Sequence, residues 1–139
     1  MKICPVVIAL LALYYDLKTF RIPNKLNLFG CFTGIILSIV TDGARGSLGA
    51  LEGVLMAFGI MIIFYIVGAI GAGDVKLMCA VGTMLHLRIL NVIVISFAVA
   101  AVAGACLVIV KLLSGRYIKI TRLHMTIPIF CAVLCCAVV

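Results

Sequence analysis

Apolar residues run along this chain in long blocks, separated by short segments that carry charge or glycine. Six blocks stand out: Ile3 to Leu17, Leu26 to Val40, Leu48 to Ile70, Val75 to Leu87, Ile89 to Leu113 and Met125 to Val139. In lipid, every backbone N–H and C=O must be bonded inside its own segment, so each block is expected to be α-helical. A full crossing takes about 20 residues. The third and fifth blocks reach that length, whereas the second, fourth and sixth must borrow flanking residues or begin or end inside the bilayer. The short fourth block is informative. It would put the preceding break, Gly71-Ala72-Gly73-Asp74, below the membrane surface, where irregular backbone survives only if protein or a water-filled cavity surrounds it.

Composition agrees with the pattern. Of 139 residues, 67% are hydrophobic and 11% charged, and the mean hydropathy is +1.45; soluble domains are about half apolar and a quarter charged. No long polar stretch offers a soluble catalytic appendage. The net charge of +7 would suggest nucleic acid in a soluble protein. Here the charges fall between apolar blocks, where they set orientation and meet anionic headgroups, so no nucleic-acid partner is expected. Seven cysteines lie within apolar runs and form no C-x-x-C pair, which points to small hydrophobes rather than a zinc site or disulfide framework. The opening MKICPVVIALLALYY is followed by Asp16-Leu17-Lys18 rather than by a small-residue cleavage site, so it reads as a retained helix.

Orientation follows from Lys and Arg in alternate loops. The first, third and fifth loops carry Lys18, Arg21, Lys25, Lys76, Lys111, Arg116, Lys119 and Arg122, against Lys2, Arg45 and Arg88 on the other side. That bias puts the odd loops in the cytosol and both termini outside. The expected fold is all-α: a polytopic membrane protein of six transmembrane helices forming one domain over residues 1–139. Small residues at packing distance (Gly30 and Gly34, Gly49 and Gly53, Gly53 and Ala57) fit close helix approach, although 13 glycines produce such pairs readily by chance.

The chain has four acids. Asp42, in the second loop beside Gly43, and Glu52 read as solvated interfacial residues. Asp16 ends a nearly unbroken apolar run and is either a helix-end acid paired with Lys18 or Arg21, or part of a site. Asp74 stands where an N-cap of the fourth helix would be and is either a cap or a functional carboxylate. Lys76 is either a cytosolic anchor or a tuner of Asp74. His86 and His124 are isolated and read as structural, and neither a metal site nor a nucleophile triad is arranged anywhere. By the charge count, Asp16 and Asp74 border the same cytosolic face. Two carboxylates that meet cannot both ionise cheaply, so one keeps its proton. The ionised member can activate a water and the protonated member can polarise a peptide carbonyl, with carboxyl pKa values raised by low dielectric. Gly71 and Gly73 could take positive φ and admit a substrate backbone. No cofactor is needed.

The stretch Gly71-Ala72-Gly73-Asp74-Val75-Lys76-Leu77-Met78 resembles the G-x-G-D aspartyl peptidases, and its Val-Lys-Leu continuation resembles the type IV prepilin peptidase family. Asp16-Leu17-Lys18-Thr19-Phe20-Arg21-Ile22-Pro23-Asn24 is similar to that family's first aspartate and the arginine-isoleucine-proline-asparagine stretch after it. The resemblance implies that Asp16 and Asp74 are catalytic and that Arg21, Pro23 and Asn24 shape the first loop. It implies a bacterial inner-membrane enzyme that removes basic leaders from pilin or pseudopilin precursors at the cytosolic face. The long members carry an extra region with paired cysteines and N-methyltransferase activity. Nothing here matches it, so the chain resembles the short, peptidase-only form serving tight-adherence (Flp-type) pili. Two other readings are a small ion- or proton-coupled transporter subunit, since intramembrane acids also mark transport paths, and a G-x-G-D peptidase with a non-pilin substrate.

Overall fold

The computed structural model describes residues 3–19, 23–114 and 126–138. These residues form helices joined by short turns, with no strand among them. Helix α1 is Ile3–Thr19, α2 is Asn24–Ile66, α3 is Ala72–Leu85, α4 is Ile89–Ser114 and α5 is Thr126–Val138. Two stretches, Asn24–Ile66 and Ala72–Cys106, are long and apolar enough to cross a membrane by length and composition.

The second and third apolar blocks both lie in α2, and no loop over 41–47 separates them. A single residue, Gly43, leaves the helical region with φ 59° and ψ −134°. The helix folds back there into two antiparallel arms. Gly34 on the first arm meets Thr83 and Gly53 on the second meets Gly82, which are adjacent residues of α3. Leu28 and Phe58 line one cavity, as do Asn24 and Tyr65. Space around Gly43 is open, so the glycine is needed for its backbone conformation alone. Asp42 is exposed beside it, at the tip of this hairpin.

The second arm ends in a Schellman motif. Gly68 takes φ +79°, its N–H bonds Tyr65 O, and Ala69 N–H bonds Phe64 O, both at 2.9 Å. The break before α3 is therefore 67–71, upstream of where the sequence put it, and Ala72, Gly73 and Asp74 already belong to α3. Even so lengthened, α3 has 14 residues and rises about 21 Å, short of a hydrocarbon core of about 30 Å.

α3 is the centre of the molecule. Leu77, Met78, Ala80, Val81, Gly82 and Thr83 are all buried, enclosed by the arms of α2 and by α1 and α4. Contact with α3 falls largely on small residues: Gly30 packs on Ala80, Gly34 on Thr83, and Gly53 and Gly82 meet backbone to backbone. Large apolar residues such as Phe29, Phe32, Leu51, Leu55, Val94 and Val102 point outward. A soluble domain buries such side chains. Small residues at the α2–α3 contact and large ones on the outer surface suit a bundle with lipid around it. α5 closes the bundle by packing on α4 and α1.

Candidate active site

Three contacts bring Asp16 and Asp74 to one end of this bundle. Asn27 Nδ2 donates to Gly73 O at 3.5 Å, and Lys76 Nζ donates to Asn24 Oδ1 at 2.9 Å, so the start of α2 lies beside the start of α3. α1 ends at Thr19, with only four residues between it and Asn24. Nearer mid-bundle, Ile8 and Ala80 both pack around Gly30. From that level Asp16 lies eight residues, about 12 Å, further along α1, and Asp74 six residues, about 9 Å, back along α3. The two helices run in opposite directions, so both displacements lead to the same end.

Asp74 is not the N-cap. Gly71 is the N-cap, and Asp74 is the third residue of α3. Its Oδ2 accepts from Gly71 N–H at 3.3 Å, which is the N3 half of a capping box; Gly71 has no side chain to complete the other half. The bond and the positive end of α3 both favour a carboxylate there. Gly71 has φ −84°, and among the described residues the glycines with positive φ are Gly43 and Gly68. Positive φ is thus not what Gly71 and Gly73 supply. Gly73 instead offers a carbonyl to Asn27, and a Cβ on Gly71 would stand 3.4 Å from the carboxylate of Asp74.

Asp16 is half-buried in the last turns of α1. Its Oδ2 accepts a hydrogen bond from Thr126 Oγ1, at the start of α5. Lys18 Nζ lies 5.9 Å from the ring centre of Tyr14. Arg21 and His124 lie outside the described residues. Pro23 is the N-cap of α2 with φ −62° and ψ 131°, and its carbonyl accepts from Leu26 N at 3.0 Å. Lys76 is exposed and bonded to Asn24, so these two residues tie two helix starts together.

Sequence reasoning missed Asn27 and Thr126. Asn27 is 3% exposed, and its Oδ1 is buried with no partner among the described residues. The signal was an amide inside an otherwise apolar block. Beside it, between the arms of α2 and α3, lies a mostly apolar cavity of about 470 Å³ lined by Asn24, Asn27, Cys31, Phe58, Val75 and Lys76 among others. The cavity flanks Asp74's helix and contains neither acid.

At the opposite end, Ser38 Oγ lies 3.0 Å from His86 Nε2, which could be mistaken for a nucleophile pair. Ser38 donates its hydrogen to Thr83 O at 2.9 Å, so the imidazole must donate to the hydroxyl and is not its base. Among the described residues no group of three His, Cys, Asp or Glu could hold a metal ion.

A bundle helical throughout its described residues, with small residues where α2 meets α3, large apolar ones exposed and two carboxylates at one polar end belongs to the class of helical membrane proteins. The type IV leader peptidase family model matches residues 3–109, and the chain is a member of that family. It is therefore a peptidase by family, and both acids fall inside the matched segment. No curated protein and no solved structure matches the chain.

Proposed function

We propose that the chain is a multi-pass aspartic endopeptidase of the bacterial inner membrane that removes the basic leader from pilin-like precursors at the cytosolic face. The observation that carries this reading is the convergence of Asp16 and Asp74, from helices far apart in sequence, on one end of a family-matched peptidase bundle. The precursor's hydrophobic helix stays in the bilayer and presents the peptide bond that precedes it.

The ionised carboxylate takes a proton from water as the oxygen attacks the scissile carbonyl carbon. The protonated carboxyl gives its proton to the carbonyl oxygen. The tetrahedral diol collapses as the second carboxylate takes a proton back from one of its hydroxyls, the C–N bond breaks, and the leaving nitrogen receives a proton from the acid that gained one from water. The pair ends with one proton, as it began, and titrates as a unit.

The test is co-expression with candidate pilin precursors, following leader removal by mass. Wild type should shorten a precursor by its leader, and Asp16→Asn and Asp74→Asn should each leave it intact while still inserting and folding. Processing that survives either substitution overturns the reading.

A further inference from the structure

The bond between Thr126 and Asp16 joins residues 110 apart, and α5, which carries Thr126, lies beyond the segment that the family model matches. Thr126 is 1% exposed, so its hydroxyl has no water to turn to. A threonine hydroxyl has one hydrogen to give, and here it goes to Oδ2 of Asp16. We propose that Thr126 is a positioning residue of the peptidase site, fixing one oxygen of Asp16 so that the other is presented to Asp74 and to the attacking water. This rests on the reading of Asp16 and Asp74 as the catalytic pair.

One consequence follows from the chemistry of the bond. A carboxylate rotates freely about its last bond unless one oxygen is held, and misplacement of a reacting group by about 1 Å costs about 100-fold in rate.

The experiment uses the full chain in detergent or liposomes, with Thr126→Val and Thr126→Ser beside wild type. Valine keeps the branched shape and loses the hydroxyl; serine keeps the hydroxyl. Thr126→Val should lower kcat about tenfold to 100-fold with little change in KM. Thr126→Ser should restore kcat. Independently of cleavage, the carboxyl C=O band of Asp16 is followed at low pH by infrared difference spectroscopy in an Asp74→Asn background, where Thr126→Val should move the band to higher frequency through loss of the donor and Thr126→Ser should return it. An unmoved band, or a serine variant no better than the valine one, overturns the proposal. If wild type cleaves no precursor, the peptidase reading fails, and the band still decides the role of Thr126.

Discussion

Around His86, the end of the bundle far from the acids is held by glycine against backbone. Gly53 and Gly82 each face the other's carbonyl, and an added Cβ on Gly82 would come within 2.6 Å of Gly53 O. Gly49 leaves room for the imidazole of His86, and Ser38 bonds both Thr83 O and His86. At the acid end, in contrast, helices meet through polar side chains: Lys76 to Asn24, Asn27 to Gly73, Thr126 to Asp16. The cavity of about 470 Å³ is also there. One end is packed so closely that it cannot yield, and the other is joined by a few bonds that can break and reform. A site that must admit a peptide belongs at the second kind of end, since functional regions are drawn from the less stable parts of a structure.

The largest expected effect separates the two ends outright. Asp16→Asn or Asp74→Asn should cost about 100-fold to 10,000-fold in cleavage, the usual weight of an acid–base residue, with the melting temperature in detergent nearly unchanged. Gly53→Ala at the other end should do the reverse. Its Cβ meets the Gly82 carbonyl, a backbone group that cannot swing aside, so about 1–3 kcal/mol of stability should be lost while molecules that stay folded cleave normally. Gly59→Ala is the control: that glycine faces open space within α2, and alanine there should be neutral or stabilising by up to about 1 kcal/mol. Thermal melts beside initial cleavage rates check all four variants. A Gly53→Ala protein as stable as Gly59→Ala would remove the contrast.

A smaller effect tests the reversals. Gly43 and His86 share one backbone conformation, φ 59° and ψ −134° against φ 52° and ψ −132°. Glycine takes it without strain; histidine does not. His86→Gly relieves that strain and loses the bond to Ser38, two terms of about 1 kcal/mol each with opposite sign, so its stability should stay near wild type. His86→Val keeps the strain, loses the bond, and should fall by about 1 kcal/mol. Chemical denaturation of the two variants side by side reads the difference.

Much of this was legible in the sequence. The apolar blocks gave the helices to within a few residues, because lipid-facing segments leave the backbone no alternative to α-helix. Of the spaced glycines, Gly30, Gly34 and Gly53 do mark contacts with α3, and Gly49 meets His86 just beyond it. The hairpin at Gly43 was not legible. Asp42, Gly43 and Arg45 looked like a loop, since a polar cluster between apolar runs says nothing of how few residues a reversal needs. At the site, Asp16 and Asp74 came from motif and charge bias. Asn27 and Thr126 did not, because a lone amide or hydroxyl in an apolar run gains meaning only from the chain opposite it: Gly73 in one case, an acid 110 residues away in the other.

The smallest expected effect concerns Lys76, whose two sequence readings predict different outcomes. If the ammonium tunes Asp74, it stabilises the carboxylate, and Lys76→Met must raise the Asp74 pKa and move the acidic limb of the pH profile upward. The structure gives Nζ to Asn24 instead, at an exposed position where an ionic hydrogen bond is worth up to about 1 kcal/mol. As a tether between the starts of α2 and α3, it should be coupled to Asn24 and not to the acid. Lys76→Met and Asn24→Ala should each lower stability by less than about 1 kcal/mol. The double variant should be no worse than either alone, because both remove the same bond. The pH profile should keep its acidic limb. Additive losses together with an upward-moving limb would transfer Lys76 from the scaffold of the acid end to its electrostatics.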